Sequence, residues 1–322
     1  MVAAHSPRTL QEAIVYYADP VTAFTEVVRL RWPDGVVKCP TCGGTKVSFI
    51  ASRRVWECAT KHPKRQFSAK IGTIMEDSPL GIDKWLVAMW LISNAKNGVS
   101  SYELGRAIGV TQKSAWFMLH RIRLAMQDGD GGKLSGRVEV DETYIGGAAR
   151  NMHKTKKERV LGGHKGGHAG KMAVMGLLER GSDVAPVSKV RLKVVKGAKR
   201  EDLMPTVEAN VERLSQVYTD ALKSYDQLSE SFFHQFIDHA EKYVEGQVHT
   251  NGLENFWALL KRTLGGTYVS VEPFHLFRYL DEQAFRFNNR KLSDSARFML
   301  TAGSIFGKRI TFKQLTAADA SL

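Results

Sequence analysis

Three acidic side chains occupy positions where an acid needs a reason. Asp141 lies in the run Val138-Glu-Val-Asp-Glu-Thr-Tyr-Ile-Gly-Gly147. Strand alternation puts Val138, Val140 and Glu142 on one face, and Glu139, Asp141 and Thr143 on the other. An acid inside an otherwise apolar strand is costly unless it is paired or holds a metal. Val217-Tyr-Thr-Asp220 repeats the device at the end of a second short strand. On a helix, Asn251, Glu254 and Lys261 would share one face, because three and seven residues are close to whole turns. Hard oxygen ligands of this kind suit Mg²⁺ or Mn²⁺. Two such ions about 3.5–4 Å apart can activate an attacking oxygen and stabilise a leaving one at a phosphodiester, where both reactants are anionic. By residue type alone, Glu142 competes with Asp141, and Asp226 with Asp220.

A second constellation is built from sulfur and nitrogen. Cys39-Pro-Thr-Cys42-Gly-Gly is followed, after fifteen residues, by Cys58-Ala-Thr-Lys-His62. Two arms, C-x2-C and C-x3-H, can close a tetrahedron around one ion. A closed Cys3His set of Cys39, Cys42, Cys58 and His62 predicts a structural Zn²⁺. Such an ion supplies folding energy to a module too small for its own core. The chain has three cysteines, all of them here, so a disulfide scaffold is not expected and a reducing cytoplasm fits.

The elements that must hold these groups follow from periodicity and punctuation. Residues 1–35 read as a helical lead-in and 36–70 as a zinc ribbon. Residues 78–127 read as a helical region containing a helix-turn-helix. In it, Ser100 or Ser101 caps one helix, Gly109 makes the turn and Thr111 caps the next. Gln112, Lys113 and Ser114 then stand at the exposed start of the second helix, where base edges are usually read, and Arg121 and Arg123 are basic enough for phosphates. Trp85, Trp90 and Trp116 lie in helical stretches and are expected to be core. Residues 128–136 form a linker around Asp128-Gly-Asp-Gly-Gly.

From 137 to 305 the pattern is mixed α/β. Strands are expected at Arg137–Ile145, Met172–Leu178, Val190–Val195 and Gln216–Asp220. Helices are expected at Glu201–Leu214, Leu253–Leu264 and Glu272–Arg286. Three strands, a helix and another strand is the order of an RNase H-like domain. A basic insertion at 150–171 carries Lys154, Lys156 and Lys157, and 306–322 is a C-terminal tail. The fold class is thus α/β (α+β) and multidomain, with a mixed sheet flanked by helices. The 46 Lys and Arg outnumber the 33 Asp and Glu, for a net charge of +13. That balance points to a polyanion, and no apolar run has the roughly 20 residues of a membrane span.

Taken together, ribbon, helix-turn-helix and Asp-Glu-Thr-Tyr-Ile-Gly-Gly, in that order, resemble bacterial insertion-sequence transposases with an RNase H-like DDE domain. The tail carries the most specific likeness. It reads His249-Thr-Asn-Gly-Leu-Glu-Asn-Phe-Trp-Ala-Leu-Leu-Lys-Arg-Thr-Leu-Gly-Gly-Thr-Tyr268 and continues through Phe285-Arg-Phe-Asn288.

The resemblance implies Asp141, Asp220 and Glu254 as the three catalytic carboxylates holding Mg²⁺ or Mn²⁺. Lys261 is implied as the basic residue after the third acid, and Asn251 is the rival third ligand. Asp220 and Glu254 stand 34 positions apart, close to the separation usual in that superfamily. Arg262, Lys154, Lys156 and Lys157 are expected on DNA backbone. Arg286 and Asn288 are expected either to support the fold or to grip DNA. The ribbon departs from a four-cysteine version at His62. The implied reaction frees a 3′-OH at each transposon end, and that 3′-OH attacks a target phosphodiester. Implied partners are terminal inverted repeats, target DNA and further copies of the chain, in the bacterial cytoplasm on the nucleoid. Two alternatives are a nuclease that stops after hydrolysis and a silent DNA-binding regulator.

Overall fold

The computed structural model describes residues 7–127, 131–147, 154, 170–183, 186–220, 225, 228–237 and 248–317. The chain divides into two compact units, Met1–Gln127 with Lys291–Ala320, and Asp128–Arg290. The expected 137–305 domain therefore closes earlier, at Arg290. The expected lead-in, ribbon and helical region belong to a single unit with Lys291–Ala320.

In the first unit, Thr9 caps α1 (Leu10–Ala18) by accepting from the Glu12 amide, and Asp19 caps α2 (Pro20–Arg31), which starts with proline. A three-stranded antiparallel ribbon follows, β1 (Val47–Ile50), β2 (Val55–Cys58) and β3 (Gln66–Ser68). Its small core is aromatic. Trp56 packs against Phe24, Trp32, Phe49 and Phe67, with ring centroids 5.1–5.9 Å apart.

The unit's main core gathers on α3 (Ile82–Asn94), whose Trp85, Leu86, Met89, Trp90 and Ile92 are all buried. Tyr17 of α1 and Trp90 both meet Phe298. Phe298 belongs to α9 (Asp294–Gly303), and Ser93 and Thr301 share a buried hydrogen bond of 2.8 Å. Those buried contacts are why the segment after Arg290 joins the front of the chain. Two helices follow, α4 (Ser101–Ile108) and α5 (Gln112–Met126), joined by a short turn at Gly109. Ser100 and Glu103 make a capping box, Gly109 is left-handed at φ 63°, and Thr111 caps α5. A short final helix, α10 (Phe312–Thr316), also belongs to this unit.

The second unit is built on a five-stranded sheet. Its strands are β4 (Arg137–Ile145), β5 (Met172–Glu179), β6 (Lys189–Val195), β7 (Gln216–Asp220) and β8 (Phe233–Ile237), in the order β6-β5-β4-β7-β8. The first three strands are antiparallel, while β7 and β8 lie parallel to β4. This is the RNase H-like order, with β8 a strand that the sequence reading did not mark. Part of the expected linker is structured. Leu134 is buried and bridges Val211, just after α6 (Arg200–Asn210), which ends four residues before the expected Leu214.

Both sheet faces are covered. Val138, Val140, Met175 and Leu177 pack with Leu203 and Val207 of α6. Val174, Leu178 and Val190 pack with Leu253, Phe256, Trp257 and Leu260 of α7 (Asn251–Thr263) and with Leu276, Tyr279 and Leu280 of α8 (Leu276–Asn288). Coverage on both faces explains why β5 reads as a continuous apolar run rather than an alternating one. No described helix is long and apolar enough to cross a membrane.

Candidate active site and metal centre

The four expected zinc ligands converge. Their Sγ and imidazole nitrogen atoms all lie within 4.8 Å of one another. Cys39 Sγ is 3.4 Å from His62 Nε2, and Cys42 Sγ is 3.6 Å from Cys58 Sγ. Bonds of about 2.3 Å to sulfur and 2.0 Å to nitrogen give tetrahedron edges of about 3.8 Å and 3.5 Å, so the cluster fits Zn²⁺. The Nδ1–H of His62 donates to the Pro63 carbonyl at 2.7 Å, which leaves Nε2 free to ligate. Burial opposes ionisation of Cys39. Amides of Cys42 and Thr41 and the neighbouring thiols overcome it and bring the thiol down to about 6. The turn after Cys39 and the β2 strand end at Cys58 supply the sulfurs, and both are hydrogen-bonded into the ribbon.

The acids are placed by register. The parallel pairing of β4 with β7 runs Arg137↔Gln216, Val138↔Val217 and Glu139↔Tyr218. The pairing ends there, so Asp141 lies two residues beyond it on β4 and Asp220 two residues beyond it on β7, near enough for the Asp220 charge to act on the Asp141 carboxyl. Asp141 pairs with Gly176 on its other side. That glycine is required by packing. A Cβ there would fall 2.6 Å from the Trp257 ring and 2.8 Å from Leu253. The Trp257 ring therefore rests against the sheet at Gly176, and its Nε1–H donates to Asp141 Oδ2 at 2.8 Å. The other oxygen, Oδ1, accepts from the Glu142 amide at 2.8 Å.

Glu254 stands in the first turn of α7, exposed, with Asn251 one turn before it and exposed as well. Burial pushes the Asp141 carboxyl up to about 6, against the hydrogen bond from Trp257, and the charges of Asp220 and Glu254 add to the rise. The three acids thus share one electrostatic neighbourhood. They are less tightly gathered than the thiols. Among the described residues, the ribbon cluster is the one group of three or more such ligands converged at metal-holding distance.

The structure separates Asp141 from its sequence rival. Glu142 pairs with Met175 and so belongs to the α6 face of the sheet. Burial, then the charges of Asp141 and Asp220, push its carboxyl up to about 8. Asp226, Lys156 and Lys157 lie outside the described residues, and Lys154 is exposed. Lys261 and Arg262 are exposed near the end of α7.

Among the expected DNA contacts of the helix-turn-helix, Lys113 is exposed, with its ammonium 5.2 Å from the Phe312 ring. Gln112 donates to Ser101 Oγ at 2.8 Å, and Ser114 accepts from Thr111 at 2.9 Å. Arg121 and Arg123 are corrected: both are buried, at 5% and 1% exposure. Nη1 of Arg121 donates to the carbonyls of Ile74 and Glu76, and its guanidinium covers Phe117. Committed to carbonyls and an aromatic face, it cannot reach a phosphate. Arg286 is likewise buried against Glu282 and Gln283, and Asn288 pairs with the backbone N–H and C=O of Val190. Both support the fold.

Sequence reasoning set Glu139 on the Asp141 face and gave it no role. It is 1% exposed and ion-paired to Arg180 at 2.6 Å. An acid at strand spacing from Asp141 was the available signal.

Comparison with known proteins agrees with this architecture. The profile of the ISXO2-like transposase domain matches residues 133–288, and that of the transposase zinc-ribbon domain matches residues 21–60. A protein described as an uncharacterized protein in transposable element ISH50 of Halobacterium salinarum is 28% identical over 247 residues, covering 74% of this chain and 81% of that protein. An uncharacterized transposase-like protein of Haemophilus influenzae is 34% identical over 120 residues, covering 36% of this chain and 97% of that protein.

Proposed function

Because the chain belongs to the family of ISXO2-like transposases with an N-terminal zinc ribbon, we propose that it cuts DNA at transposon ends and joins the freed 3′-OH to target DNA, using Asp141, Asp220 and Glu254. The observation that carries this reading is the register of β4 and β7. Asp141 and Asp220 each follow its last pair by two residues, and the charges of Asp220 and Glu254 both raise the Asp141 carboxyl, which supports a shared site. Three hard carboxylates with mutual repulsion make a donor set that a divalent cation would relieve. Mg²⁺ or Mn²⁺ bound there would activate the attacking oxygen and stabilise the leaving one.

The chain's own residues then have separable tasks. Trp257 and the Glu142 amide fix the orientation of the Asp141 carboxylate. Lys261 and Arg262, exposed near the end of α7, are the cations we assign to phosphates at this site. Asn251 is the rival to Glu254, one turn away on the same helix. The family implies DNA binding, and outside α7 we assign the exposed Lys113, at the start of α5, to base edges and the exposed Lys154 to DNA backbone.

The test uses duplexes carrying the element's ends, a target plasmid and Mg²⁺. Asp141→Asn, Asp220→Asn and Glu254→Gln should each abolish both cleavage and joining. Full activity in any one removes that residue from the site. Loss in Asn251→Ala with activity in Glu254→Gln would move the third ligand to Asn251. Cleavage without joined product by the unaltered chain would make it a nuclease instead.

A further inference from the structure

The helix that carries Glu254 begins without a cap of its own. Thr250 sits at the N-cap of α7 and makes no side-chain hydrogen bond to it. The first turn of a helix leaves amides unsatisfied, and burial makes that costly. Here the partner comes from the sheet. Oε2 of Glu139, two residues before Asp141 on β4, accepts from the Leu253 amide at 2.9 Å. The approach requires Gly252, where a Cβ would lie 2.8 Å from Oε2 and 3.0 Å from Oε1.

A buried carboxylate needs a counter-charge, and Arg180, at the end of β5, supplies it. Its Nε donates to Glu139 Oε1 at 2.6 Å. Its Nη2 donates to the His249 carbonyl at 2.6 Å and meets His249 Nδ1 at 2.8 Å. Its guanidinium also covers the Tyr218 ring of β7, 4.6 Å from the centroid. One ion pair therefore ties the turn before α7 to the strand of Asp141 and to the strand of Asp220.

We propose that Glu139 is a positioning residue, a cap supplied by the sheet that sets the first turn of α7, and with it Glu254, relative to Asp141. Arg180 holds the Glu139 charge in place and Gly252 opens the path to the helix. The inference rests on reading Glu254 as the third acid. Its leverage is short-range: Glu254 follows the capped amide by one residue, and a shift of about 1 Å in a catalytic group can cost about 10²-fold in rate.

The experiment compares the unaltered chain with Glu139→Gln, Gly252→Ala and Glu254→Gln. Calorimetric Mn²⁺ titration without DNA, amide hydrogen exchange at residues 252–254, thermal melting and end cleavage at saturating DNA are measured on each. For Glu139→Gln we expect Mn²⁺ affinity to fall about tenfold, exchange at 252–254 to quicken and kcat to drop about 10²-fold. DNA affinity should stay close to that of the unaltered chain. Gly252→Ala perturbs the same contact from the helix side and should show the same pattern, which keeps the test decisive if Glu139→Gln fails to fold. Lower melting with unchanged Mn²⁺ affinity and kcat in the folded variants would reduce Glu139 to a purely structural pair and overturn the proposal. Wild-type behaviour of Glu139→Gln beside an inactive Glu254→Gln would defeat the cap alone. An active Glu254→Gln would defeat the assignment beneath it.

Discussion

Replacing Gly176 by alanine adds one methyl group at the point where α7 rests on the sheet. That carbon would stand 2.6 Å and 2.7 Å from two atoms of the Trp257 ring and 2.8 Å from Leu253. Carbon atoms settle at about 3.5–4.0 Å, so the helix must lift by about 1 Å. Overpacking of this kind costs about 1–3 kcal/mol. The same lift carries Trp257 Nε1 away from Asp141 Oδ2, now 2.8 Å distant, and would stretch that hydrogen bond past any useful length. Glu254 rides on the same helix, three residues before Trp257. A displacement of about 1 Å at the site predicts a loss on the order of 10²-fold in end cleavage.

The assay is end cleavage with Mg²⁺ beside thermal melting. Trp257→Ala should lose cleavage by itself, because it removes the Asp141 donor. In the double variant the methyl has room, so the combined stability loss should be smaller than the sum of the two single losses. Unaltered melting and cleavage in Gly176→Ala would refute the packing argument. Strictly additive losses would show that the two side chains are not in contact.

Removing zinc, by chelation or by Cys39→Ser, should release about one ion per chain and lower the melting of the first unit, read by zinc analysis and calorimetry. Arg121→Met should destabilise the first unit by about 1–3 kcal/mol, because the Ile74 and Glu76 carbonyls, one buried and one partly buried, lose their donor. Lys113→Ala should leave melting alone and weaken binding to the element's own ends by about 1–3 kcal/mol, with less effect on unrelated sequences, read by binding titration on both. Glu142 gives a pH signature. Its carboxyl lies near 8 in the fold against an ordinary value of 4.5, so the fold favours the protonated form. Its contribution is fully present below about pH 4.5 and is lost as pH rises toward 8. In metal-free protein, melting should therefore fall across that window, and Glu142→Gln should flatten the fall. An equal decline in both proteins would place the titration elsewhere.

Local rules decided much of this molecule. The spacing of Cys39, Cys42, Cys58 and His62 is enough to gather a zinc cluster, because ligands three or four residues apart meet through short turns. The β4 and β7 spans follow from β-branched alternation, and the caps at Ser100 and Thr111 act within one turn of helix. Residue type and place on a strand, inside β4 for Asp141 and at the end of β7 for Asp220, sufficed to make them candidates.

Long-range packing decided the rest. β8 is short and contains His234 and Gln235, so little but pairing with β7 marks it as a strand. Arg121 and Arg123 look like phosphate ligands in one dimension, yet burial spends them on the interior. Nothing near Lys291 announces that the segment after it belongs with the front of the chain. That follows from Phe298 and Thr301 finding partners about two hundred residues earlier. The need for Gly176 and Gly252, and the work of Glu139, exist only once α7 lies on the sheet. Sequence names which side chains can do chemistry, because that is a property of each residue. Which of them meet, and which are held in place by a neighbour, depends on contacts across more than a hundred positions.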